Sequence, residues 1–222
     1  METIEKLEEL RPTAGSSYSL GWRRMFEYFL YAFLVIVFIG ITSAPVGWTY
    51  EVQHIQFPIM FNFFSLFTLA YFLFLAAPLK YGAKKVLLSI IRKDKIDLNE
   101  LFYGFKDYLN IVLANILMGA LIGIGIAFLI VPGIIIACRL AFVPYLVIDK
   151  KLDAVKAVEE SWKITKGHGW TIFLMALMVI PIFFAGLLVF GIGIIFSIIW
   201  INLAFTAIYA IVIAKKEKIE SV

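Results

Sequence analysis

One cysteine, Cys138, and two histidines, His54 and His168, are the only thiol and imidazole side chains among 222 residues. An internal disulfide is excluded, and no His or Cys cluster has metal-ligand spacing. Charge is scarce as well. Asp, Glu, Lys and Arg make up 16% of the chain, against about 25% in an ordinary water-soluble domain. A glycine-rich phosphate loop, a nucleophile elbow and a His-Glu zinc motif are all missing. So is any acidic pair inside the long apolar runs, of the kind proton-coupled pumps carry. These absences argue against an enzyme and against an ion-coupled transporter, and no cofactor is expected. Residues 1–20 are polar with no apolar core, so no cleavable signal peptide is expected.

What the chain has instead is apolar length. It is 62% hydrophobic with a mean hydropathy of +0.93, and the excess is blocked into runs near the ~20 residues that cross a bilayer as helix. Six spans are expected, roughly Glu27–Ala44, Phe57–Leu79, Ile111–Ile130, Ile134–Ile148, Trp170–Phe190 and Ile194–Ala214. Nineteen of the 20 Lys and Arg fall before the first span, after the last, or in the stretches 80–110 and 149–170. The alternate connections, near 47–56, 131–133 and 190–193, carry none. By the positive-inside rule, both termini are expected in the cytoplasm, with the protein in the inner or plasma membrane. The fold class is thus an all-α polytopic bundle with cytoplasmic amphipathic helices. Residues 1–20 form a polar tail, 21–214 a single membrane domain and 215–222 a basic tail.

Within this frame, Gly21-Trp22-Arg23-Arg24 reads as an interfacial collar, and Asp97-Leu98-Asn99-Glu100 as the cap of a helix. Val86, Leu87, Ile90 and Ile91 make the apolar stripe of one basic helix. Leu152, Val155, Val158 and Trp162 make that of another, which Gly167 would stop. Both helices are expected on anionic headgroups, with membrane lipids as partners and no nucleic acid. Val131-Pro132-Gly133 reads as a tight turn, and the span after it is short and carries Pro144, which leaves a full, a broken and a re-entrant helix open. Gly119 and Gly123, with Gly125 beside them, have a spacing that suits close helix packing. Small-residue and aromatic faces both permit a homo-oligomer or a membrane-protein partner.

The twentieth basic residue, Arg139, lies inside the fourth span, six residues past the Pro-Gly turn and so expected about 9 Å into the outer leaflet at ~1.5 Å per residue. A buried arginine there costs on the order of 2–3 kcal/mol unless it meets protein, water or a headgroup. Two readings stand. Arg139 converges with Asn62, Ser65, Ser197 and Asn202 on a polar site for an anionic group, or its role is structural, serving helix carbonyls freed by Pro144 or snorkelling outward.

The stretch from Pro132 to Phe173 carries Pro132-Gly133, Arg139, Pro144 with Asp149, Ala154 and Ala157, and Ser161-Trp162 with Thr165 and Gly167. This pattern resembles a superfamily of uncharacterised prokaryotic multi-pass membrane proteins, one branch of which is the membrane domain joined to some glycerophosphoryl diester phosphodiesterases. The resemblance implies the fold and a role for Arg139 and Ser161-Trp162; the barrel that carries the branch's catalysis has no counterpart in these residues. The functional expectation is a non-enzymatic membrane protein working through lipid or protein contacts. A transporter or channel for an anionic or amphiphilic molecule is the alternative.

Overall fold

A computed structural model describes residues 7–52, 66–188 and 192–220, and every regular element among them is helical. Helix α1 (Ala14–Glu27) meets α2 (Phe29–Val52) at a bend of 103°. Helix α3 (Leu66–Arg92) is followed by a 3-10 helix (Leu98–Phe105) and by α4 (Tyr108–Phe128). Then come α5 (Ile130–Arg139), α6 (Val143–Asp149), α7 (Ala154–Ile164), α8 (Gly169–Leu188) and α9 (Ile192–Glu220). Five helical stretches are long and apolar enough to cross a membrane, six if the bent α1–α2 pair counts as one. Their outer faces, including Leu30, Ile41, Leu113, Ile124 and Phe184, stay exposed, as helices solvated by lipid require. The protein is a helical membrane bundle.

Helix α9 is the hub. Leu203, Ala204, Ala207, Ile208, Tyr209 and Ile211 are fully buried, and α1, α3 and α8 pack around it. Gly21 of α1 lies so close that a methyl group there would meet the Ala204 nitrogen at 2.8 Å. Tyr18 donates its hydroxyl to the Met175 carbonyl of α8 (2.8 Å), and the Trp200 indole donates to the Tyr18 carbonyl (2.8 Å). The polar tail expected to end at residue 20 therefore ends inside a packed helix, and the boundary expected at 214 falls inside α9.

Arg24 departs from the collar expected of it. It is buried, and its Nε donates to the Ile91 carbonyl at the end of α3 (3.1 Å) while Nη1 pairs with Glu27 (2.6 Å). Lys93, which ends α3 in the left-handed conformation at φ 59°, reaches the same carboxylate. One ion cluster thus fixes the α1–α2 bend to the terminus of α3.

The basic helix expected over 80–93 is continuous with the span before it, and a π turn (Phe72–Ala76) directly precedes Pro78. A wider turn is a common response where proline withholds an N–H from the ladder. The stripe Val86, Leu87, Ile90 and Ile91 is buried against the bundle and does not lie on the headgroup plane. Asp97 caps the 3-10 helix by accepting from the Asn99 amide (2.9 Å), while Glu100 pairs with Lys85 (3.1 Å). That segment presses on α3 so tightly that a methyl at Gly82 would overlap the Leu101 carbonyl.

Gly119 and Gly123 are exposed, and a methyl group at either would have no neighbour within 4 Å, so their spacing marks no seam. The close approach is instead at Gly125, where a methyl would meet the Gly133 Cα at 2.9 Å. The turn also moves: Leu129 is extended (φ −167°, ψ 152°) and Pro132-Gly133 already belong to the first turn of α5. Proline is well placed there, because the first-turn amides have no intrahelical acceptor.

Two alanine substitutions separate these environments. Gly82→Ala is expected to cost about 1–3 kcal/mol by overpacking, seen as a clear drop in melting temperature of the purified protein. Gly119→Ala should leave the melting temperature unchanged or raise it, since alanine is the better helix former.

Candidate functional site

The middle of the chain is organised around Pro144, which has no N–H. Leu140, four residues before it, therefore loses its regular helical donor. The Val143 amide turns to Leu140 instead (3.1 Å), in a tighter turn. That leaves the carbonyl of Arg139 without the Val143 amide it would otherwise have taken, and the span breaks between α5 and α6. The orphaned carbonyl is taken up from outside. Ser161 of α7 donates its hydroxyl to it at 2.7 Å, and Thr165, one turn on, reaches it at 3.2 Å while sharing its single hydrogen with the Ser161 carbonyl (2.7 Å). Ser161 and Thr165 are both buried.

This clamp decides which face of α7 turns inward. Asp153 caps the helix, accepting from the Lys156 amide at 3.0 Å. Its buried face is Ala154, Ala157, Ser161 and Ile164, small residues for the most part, which let the helix approach. Val155 and Trp162, expected on the packed stripe, are 58% and 46% exposed. Gly167 follows in the left-handed region at φ 93°, open only to glycine without strain, and the chain turns into α8.

Arg139's side chain, like its carbonyl, meets α7. Its guanidinium carbon lies 5.9 Å from the centre of the Trp162 ring and beside Gly169, the first residue of α8. Nη1 is buried with no hydrogen-bond partner. No carboxylate among the described residues pairs with it. It therefore does not serve the freed carbonyls. Beside it opens a cavity of about 400 Å³ between α5 and α8, walled by Val131, Ile134, Ile135, Cys138, Trp170 and Phe173. Ile134, Ile135 and Trp170 on its walls are exposed, so the cavity opens to the surface of the bundle.

Of the wider constellation expected around Arg139, Ser197 and Asn202 are engaged elsewhere. Ser197 donates to the Ile182 carbonyl (3.0 Å) in the far half of α8, about 20 Å along that helix from Gly169 at ~1.5 Å per residue. Asn202 donates to the Ile198 carbonyl of its own helix (2.9 Å). Asn62 and Ser65 lie outside the described residues. Asp149, the acidic residue at the exit of the broken span, accepts both ends of Arg92 (2.5 and 2.8 Å) and the Tyr209 hydroxyl (2.7 Å), tying α6 to α3 and α9. Sequence reading missed the role of Thr165 as the second half of the clamp and the cavity walls in α8. The serine-to-threonine spacing of four, one helical turn, was the available signal for the first.

Fold and site together define a polytopic helical membrane protein with a broken central span. Residues 122–216 match the family described as Protein of unknown function (DUF975), a stretch that contains the clamp, Arg139 and the cavity. No curated protein and no solved structure matches the chain, and nothing found links it to the phosphodiesterase membrane domain.

The clamp carries its own test. Ser161→Ala should destabilise the protein by about 1–3 kcal/mol, the cost of a stranded buried carbonyl, and Thr165→Val by less. In a Pro144→Ala background, where the α5–α6 ladder can close, the Ser161→Ala loss in melting temperature should shrink; an unchanged loss would mean the hydroxyl acts elsewhere.

Proposed function

We propose that this protein is a non-enzymatic component of the cell membrane that binds an anionic amphiphile, its acidic headgroup at Arg139 and its apolar chain along the α5–α8 cavity. The observation carrying this reading is the buried, unpartnered Nη1 of Arg139 at the end of an apolar cavity. A guanidinium in an apolar surround calls for an anion, and its planar fork suits phosphate or carboxylate oxygens. Trp162 supports the cation from one side by its ring face. The opening at the bundle surface and the apolar walls favour holding a lipid over conducting a solute, which would need a polar path. The distribution of Lys and Arg supports placing both termini and α7 on the cytoplasmic side, and Arg139 lies against Trp162 of α7, which favours a ligand in the cytoplasmic leaflet over the outer-leaflet depth expected from residue spacing alone.

Native mass spectrometry of protein released from nanodiscs containing phosphatidylglycerol and phosphatidylcholine would test this. Wild type should retain the anionic lipid preferentially. Arg139→Gln should lose that preference by about tenfold, as removal of one charge-assisted contact implies, with its melting temperature in detergent near wild type. Equal retention by wild type and variant would overturn the reading.

A further inference from the structure

A second cavity, of about 840 Å³, lies on the other side of α7, between that helix, the end of α9 and the N-terminal segment. Its walls are Pro12, Glu160, Lys163, Ile164, His168, Val212, Lys215, Lys216 and Ile219. Glu160 is already engaged by Lys216. Lys163 and Lys215 also line it, and neither ammonium group makes a hydrogen bond or ion pair with a described residue, unlike those of Lys85, Lys93, Lys150 and Lys156. Lys163, Lys215 and His168 thus line an apolar floor of Ile164, Val212 and Ile219, with Glu160, which pairs with Lys216, the one carboxylate among the described lining residues. Lys215 is near enough to His168 that its charge adds to burial in holding that imidazole below its ordinary pKa.

We infer that this crevice is a binding site for a phosphate group, held by Lys163 and Lys215 with His168 as hydrogen-bond donor. Uncompensated like charges lining one cavity repel each other, and a multiply charged anion relieves that repulsion at several points together. The lysines are point charges on flexible stems, suited to phosphate without demanding one geometry. Phosphate on a lipid headgroup and phosphate on a small soluble molecule share this chemistry. The apolar floor suits glycerol or acyl carbons next to the phosphate. The site shares no lining residue with the Arg139 cavity, so the two proposals stand or fall separately.

The test is the His168 ring resonance in protein held in phosphatidylcholine nanodiscs, with His54, the other histidine, as internal reference. Glycerol 3-phosphate is titrated in, and in a parallel sample phosphatidic acid replaces part of the lipid. A His168 shift with glycerol 3-phosphate supports a soluble ligand, and a shift with phosphatidic acid alone supports a headgroup. In Lys163→Gln/Lys215→Gln the response should weaken by about tenfold or more, while Arg139→Gln should respond as wild type. Should the double variant fail to fold, Lys163→Gln alone, at an exposed position, gives the same comparison. No shift with either probe, or an equal shift in the lysine variants, would overturn the inference.

Discussion

The missing N–H of Pro144 is the constraint from which the centre of this molecule follows. In hydrocarbon no water is at hand to take up a stranded carbonyl, so a broken helix survives only where protein supplies the donor. Here the donors are two hydroxyls one turn apart on α7, and they close on the Arg139 carbonyl. That contact draws a basic, partly polar helix onto the end of α5. It selects a buried face of alanine and serine and turns Val155 and Trp162 outward. Arg139 is consequently held at a helix end, its backbone satisfied and its guanidinium free to meet something else.

The same economy recurs at other helix ends. Arg24 reaches from α1 to the last turn of α3, and Asp149 gathers Arg92 and Tyr209 where α6 stops. At the first, a backbone carbonyl that has lost its helical partner is met by a charged side chain from a different helix; at the second, the last side chain of α6 is met by groups of α3 and α9. Such contacts fix helices relative to one another in a medium that gives little hydrophobic drive for helix association. The result is a rigid inner frame around α9, with lipid-facing helices set on it.

Much of this was legible in the sequence. Long apolar runs and the alternation of basic loops were enough to anticipate an all-α membrane bundle, while Pro144 left open whether the fourth span is a full or a broken helix. The elements that went astray did so for identifiable reasons. Gly119 and Gly123 have the spacing of a packing seam, but spacing does not say which face meets a neighbour, and the neighbour is at Gly125. The helix over 80–93 looks like a surface helix because its lysines hide how completely Val86, Leu87, Ile90 and Ile91 are covered. Arg139 stood out in the sequence by its cost, but much of its surroundings comes from residues 22 to 34 positions later, which no local pattern announces. Ser197 and Asn202 looked equally polar and equally deep, yet each is satisfied by a carbonyl close at hand.

The central claim is that an anionic headgroup sits on Arg139. Solid-state NMR of guanidinium-labelled protein in phospholipid bilayers measures the approach of lipid phosphorus to the arginine Cζ carbons directly. Dephasing by phosphorus in the wild type, reduced in Arg139→Gln by the contribution of that one residue, is the predicted result. Dephasing identical in the two proteins would contradict the account and leave Arg139 without a lipid partner.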